Sequence, residues 1–140
     1  MIQITEDYCS FETTKLLKEK GFDGECRAFW EDWKGEIRLC SCNRAYMFDY
    51  CHNSMLERYN DTEETNIAAP TLQMAMKWLR EVHNYNIEID TIGQKSRNTL
   101  SWRSLIYNLE HDIECYHEEN FKSYEEACEA AIKYCLENLI

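Results

Sequence analysis

The chain has 140 residues, 44% of them apolar and 13% aromatic, and a net charge of −11. That length and apolar content fit one folded domain with its own core and exclude a disordered chain. The charge is spread, with −6 on residues 1–70 and −5 on residues 71–140, and no cluster of lysine or arginine interrupts it, so direct attraction to nucleic-acid phosphates or an anionic membrane surface is excluded.

In chain order, the first element is a short helix. The Ser10 hydroxyl suits an N-cap. Phe11, Thr14, Leu17 and Lys18 follow at helical spacing, Lys18 and Lys20 suit the negative C-terminal end, and Gly21 stops the helix by taking a left-handed conformation. Residues 25–51 read as an antiparallel meander. Ala28 and Trp30 form one alternating set, Ile37, Leu39 and Ser41 a second after the Gly35 turn, and Tyr46, Phe48 and Tyr50 a third. Residues 52–68 have no period and are expected as an exposed connection, mobile or functional at that length.

Pro70 opens a second helix that runs to about His83, with Leu72, Ala75, Met76, Leu79 and Val82 on one face. Ile87 and Ile89 alternate with Glu88 and Asp90 and give a strand. Residues 93–98 form a turn-rich connection. Residues 99–117 read as two strands with a break near Glu110 to Asp112. The last helix is the plainest element. Ser123 and Glu126 form a capping box, and Tyr124, Ala127, Cys128, Ala131, Ile132, Cys135, Leu136 and Leu139 repeat along one side. Its small residues let it lie close on a sheet. Condensed to its main elements, the chain is α+β, an antiparallel sheet with helices on one face in the order α-β-β-β-α-β-β-α, as a single domain over residues 1–140.

The eight cysteines, at 9, 26, 40, 42, 51, 115, 128 and 135, are expected as reduced thiols of a cytoplasmic protein. Met1 to Ser10 has no basic start or apolar stretch of signal type, and Cys128 and Cys135 sit on an apolar helix face as small hydrophobes. No apolar run reaches the ~20 residues of a membrane span.

Two segments carry a resemblance. The first is Ala69-Pro70-Thr71-Leu72-Gln73 leading to Trp78-Leu79-Arg80-Glu81-Val82-His83-Asn84 and the Ile87-Glu88-Ile89 strand. The second is Ser123-Tyr124-Glu125-Glu126-Ala127 leading to Ala130-Ala131-Ile132 and Leu139-Ile140. Together they resemble small uncharacterised proteins of Bacteroides-type gut bacteria and their phages and mobile elements. The resemblance implies a bacterial or phage cytoplasmic origin and a small α+β fold. It implies no activity and assigns no residue a role.

Four groups of residues bear chemistry. Cys40, Cys42, Cys51 and His52 are the nearest approach to a metal cluster. C-x-C within a strand places two thiols on one face, and Cys51-His52 across a hairpin would close a tetrahedron, but zinc sites favour C-x2–4-C and half-buried strand cysteines explain the set better. A cysteine nucleophile served by His52, His83, His111 or His117 lacks any local signature. Glu110, Asp112 and Glu114 share a face if the segment is a strand, which suits a hard cation, acid–base work or an edge guarded against sticking. Residues 110–129 hold eight carboxylates against one lysine, a charge of −7, which suits a basic partner as well as solubility. Trp33, beside Asp32 and Lys34, is the tryptophan expected at the surface.

The reading that follows is a small acidic cytoplasmic protein of phage or mobile-element type. It acts without catalysis, cofactor or metal, through a protein partner or a second copy of itself, and inhibition of a host factor is one such role. The alternative is a binder or hydrolase of a nucleotide or similar small ligand, using the aromatic sheet face and residues 110–114.

Overall fold

The computed structural model describes residues 5–43 and 48–140. By its internal contacts the chain divides into two compact units, residues 1–71 and 72–140.

In the N-terminal unit, α1 (Phe11–Glu19) starts where expected: Ser10 Oγ accepts a hydrogen bond from the Thr13 amide at 3.2 Å. It ends before Gly21, whose φ of 93° disfavours a side chain. A three-stranded antiparallel sheet follows, with β1 (Ala28–Trp33) between β2 (Glu36–Ser41) and β3 (Glu64–Ala68). Lys34 (φ 51°) and Gly35 (φ 89°) join β1 to β2, the two left-handed residues that a tight hairpin with native twist needs. Asp32 Oδ1 holds the turn by accepting from the Gly35 amide at 3.0 Å.

Strand alternation divides this sheet into two faces. Ala28, Trp30 and Ile67 lie on the α1 side, where Phe11 meets Trp30 edge-on at 6.1 Å and Trp30 Nε1 donates to the Cys9 carbonyl at 3.0 Å. Phe29, Glu31 and Trp33 lie on the other. A short helix, α2 (Asn53–Leu56), and a single 3₁₀ turn over Glu57–Tyr59 border that second face. Asn53 ties this region together: its Nδ2 donates to the Phe22 carbonyl at 2.8 Å and its Oδ1 accepts from the Ala68 amide at 2.9 Å.

The C-terminal unit is α3 (Leu72–His83), three antiparallel strands in sequential order, β4 (Tyr85–Ile92), β5 (Ser101–Asn108) and β6 (Ile113–Phe121), and α4 (Tyr124–Asn138). Ser123 Oγ accepts from the Glu126 amide at 3.1 Å, and the Glu126 carboxylate reaches back to accept from the Lys122 amide at 3.0 Å. α4 packs on all three strands and on α3. Its Ala127, Cys128, Ala131, Ile132, Cys135 and Leu136 are fully buried, and Ile87 and Ile106 are buried on the sheet. Aromatic pairs mark the same packing: Tyr116 stacks on Tyr134 at 4.3 Å and Trp102 meets Tyr124 edge-on at 5.6 Å. The opposite face of this sheet carries Glu88, Asp90, Arg103, Glu114, His117 and Glu119, with Arg103 gripping Asp90 through two hydrogen bonds.

The α+β class and antiparallel pairing hold, and three expectations change. There are two three-stranded sheets instead of one. The third strand of the meander was expected at Tyr46 to Tyr50. Tyr46 and Met47 lie outside the described residues, Phe48 to Tyr50 form no strand, and β3 falls at Glu64–Ala68 in the stretch expected as a connection. Asn66, Ile67 and Ala68 are all buried, so this strand shows no alternation. Finally, Val82 of α3 is 58% exposed, although it shares the helical spacing of the buried Leu72, Ala75 and Leu79.

Candidate functional site

The free face of the N-terminal sheet is built in cross-strand layers. At the bottom Phe29 stands between Cys40 and Ala68. Next, Glu31 stands between Arg38 and Asn66. At the hairpin end Trp33 stands between Glu36 and Glu64. An open hollow of about 360 Å³ lies over the two upper layers, lined by Glu31, Trp33, Glu36, Arg38 and Glu64. A second of about 130 Å³ continues from Glu31 and Glu64 to Phe29, Asn66, Phe48, Leu56 and Tyr59. The shared glutamates make the two one groove.

Its walls are held by specific bonds. Glu31, whose side chain is 13% exposed, accepts from Arg38 Nε at 2.8 Å. Glu64 accepts from Asn66 Nδ2 at 3.2 Å. Asn66 is buried, and Asn60 Oδ1 accepts its amide hydrogen at 2.7 Å while Asn60 Nδ2 donates to its carbonyl at 3.3 Å. That pairing fixes the loop carrying Tyr59. Asp61 Oδ1 accepts from the amides of Glu63 and Glu64, both at 2.8 Å, and these bonds hold its carboxyl below the usual range. Phe29, Phe48 and Tyr59 form a chain of tilted aromatic contacts at 5.9 and 6.2 Å. Trp33 is 42% exposed and Tyr59 55%, so both present rings to solvent. The groove thus offers aromatic faces and three carboxylates against one guanidinium.

Of the residues singled out from sequence, Trp33 and Phe48 line the groove. Cys40, Cys42 and Cys51 are buried or half-buried at the sheet. Cys40 is buried at the bottom layer. Cys51 Sγ donates to the Ala28 carbonyl at 3.3 Å and Cys42 Sγ to the Cys26 carbonyl at 4.0 Å, and Cys51 pairs through its backbone with Cys26, which the sequence did not single out. Burial pushes the Cys26 thiol up to about 12 and Cys51 higher still, so both are protonated and poorly nucleophilic at neutral pH. His52 points elsewhere: its Nδ1 accepts from the Met55 amide at 3.3 Å as the cap of α2 and lies 2.7 Å from Ser54 Oγ. Among the described residues no group of three or more His, Cys, Asp or Glu is arranged to hold a metal ion.

The acidic segment is also dispersed. Glu110 and Asp112 lie in the β5–β6 turn, not on a strand, because Asn108 Oδ1 accepts from the amides of Glu110 (2.9 Å) and His111 (3.3 Å) and ends β5 there. Asp112 has φ 52°, and only Glu114 is in β6. The remaining carboxylates of residues 110–129 divide between β6 and the first two turns of α4. His117 sits between Glu119 (2.8 Å) and Glu114 (3.8 Å) on the charged face of β6.

Sequence reading missed Glu31, Arg38, Tyr59, Glu64 and Asn66. The recoverable signal was Phe29-Glu31-Trp33, an alternating set as regular as Ala28-Trp30 that lies on the opposite face. Comparison of the chain with family models, with curated proteins and with solved structures gave no match.

Proposed function

We propose that the protein is a non-catalytic interaction protein whose groove on the free face of the N-terminal sheet docks a protein partner. The observation that carries this reading is the pairing of solvent-presented rings, Trp33 and Tyr59, with a groove whose polar walls are pre-formed by the Glu31–Arg38 and Asn60–Asn66 bonds. Exposed aromatics are enriched at the centres of protein interfaces, where they bury much area at small entropy cost. Inhibition of a host factor by a phage or mobile-element protein is the setting that this reading suits.

A hydrolase of a small ligand has less support. Glu110, Asp112 and Glu114 do not converge, and the nearby thiols are held protonated by burial. The test is quantitative co-purification from cells of the protein's own source. Wild type and a Glu88→Ala control should retain the same partner, and Trp33→Ala and Tyr59→Ala should each lose it. Retention unchanged in both groove variants would overturn the proposal.

A further inference from the structure

The layer structure of the groove narrows what it accepts. Among the described residues Trp33 is the only ring at its upper end, and its cross-strand neighbours on both sides are carboxylates, Glu36 on β2 and Glu64 on β3. Neither is paired with a cation among the described residues; Glu64 accepts only the neutral Asn66 amide, whereas Glu31 below is already matched by Arg38. A hydrophobic ring flanked by two unmatched carboxylates is a cation site. The ring quadrupole attracts positive charge at its face, and the carboxylates add charge-assisted hydrogen bonds at its edges.

An independent observation points the same way. Lys34 Nζ already stands over the Trp33 ring at 5.3 Å while 3.6 Å from Glu63. The indole therefore already takes an ammonium from the chain's own turn, and an incoming arginine or lysine replaces it there, leaving Lys34 to Glu63. The next stretch of the groove is apolar, with Phe29, Phe48, Leu56 and Tyr59 around a hollow of about 130 Å³. That volume suits one side chain lying beside the cation.

We infer that the groove reads a basic protein segment, with an arginine or lysine seated on Trp33 between Glu36 and Glu64 and a neighbouring apolar side chain against Phe48 and Tyr59. This rests on the docking reading above and specifies its partner. The net charge of −11 favours the encounter with a basic partner, but the seat on Trp33 is what selects the side chain.

The test is a titration of the full-length, ¹⁵N-labelled protein with capped tripeptides Ala-Arg-Ala and Ala-Gln-Ala and with spermidine, read at the Trp33 indole N–H. That signal is assigned by its loss in Trp33→Phe. Ala-Arg-Ala should shift it saturably and Ala-Gln-Ala should not. Glu36→Gln with Glu64→Gln should weaken the arginine peptide about tenfold, more than Glu118→Gln with Glu119→Gln on β6, which removes the same charge elsewhere. Equal weakening by both double variants would reduce the effect to net charge and overturn the inference. So would a shift with spermidine alone, which would assign the seat to a free polyamine. A partner captured through Tyr59 while Ala-Arg-Ala leaves Trp33 unmoved would overturn the cation seat alone and leave the docking proposal standing. Loss of both would overturn both.

Discussion

The two units are built from the same parts and use them differently. Each has a three-stranded antiparallel sheet with helices, but the C-terminal unit closes one face of its sheet with a long capped helix and covers the other with paired charges. The N-terminal unit leaves a face open, and there aromatic rings and carboxylates line a groove instead of a core. In one sheet the central layer is packed core: Ile87, Ile106 and Tyr116 lie in register under α4. In the other the layers alternate ring, carboxylate and ring; Arg38 matches the middle carboxylate, and Glu36 and Glu64 of the upper layer have no cation partner among the described residues. The difference teaches where stability and binding separate. Residues under α4, like Phe29 at the buried end of the groove, contribute to folding, and the exposed Trp33 does not have to.

The largest expected effect breaks the stable side of that contrast. Leu136→Ala empties a fully buried site under α4 and should cost about 2–5 kcal/mol in denaturant unfolding. A cost below about 1 kcal/mol would mean that α4 is not the centre of that core. Next is Asn53→Ala in the N-terminal unit. It leaves the Phe22 carbonyl and the Ala68 amide without their partner, at about 1–3 kcal/mol, and it should weaken partner binding as well, because β3 forms one wall of the groove. Ser123→Ala should cost about 1 kcal/mol by removing the cap of α4, with no change in binding.

A smaller effect is pH-dependent. The carboxyl of Asp61 is held below its ordinary value by the Glu63 and Glu64 amides, so its folded-state pKa is depressed relative to the unfolded chain. Its contribution is present above the unfolded value, about 4, and is lost as pH falls through the folded value. The gap in urea midpoint between wild type and Asp61→Ala should therefore be open at pH 7 and close in acid. A gap independent of pH would remove the carboxylate from the account. Smallest of all on stability is Trp33→Ala. The ring is 42% exposed, and its loss should move stability by no more than about 0.5 kcal/mol while abolishing partner binding.

Legibility follows the same division. α4 could be read from sequence because capping chemistry and helical spacing are local, and Ser123, Glu126 and the buried positions stand as expected. The β4–β6 strands and the break at 110–112 could be read for the same reason. β3 could not. Its residues 66–68 are buried consecutively, and Asn66 belongs there because of Asn60 and Glu64, partners that composition does not reveal. The groove was invisible for a related reason. Its face appears only once β1, β2 and β3 are in register, which brings Trp33 beside Glu36 across a tight turn and beside Glu64 from across a long excursion. Conversely, Cys40, Cys42, Cys51 and His52 looked like a set because they are near in sequence, and the cap that His52 supplies to α2 takes its Nδ1 away from the thiols.

Photo-crosslinking in cells tests the central claim most directly. A benzoylphenylalanine replaces Tyr59, which is 55% exposed in the groove, or, as the control, Glu88 on the charged face of the C-terminal sheet. The account expects a discrete protein adduct from position 59 and none from position 88. An adduct from position 88 alone, or the same adducts from both, would contradict it.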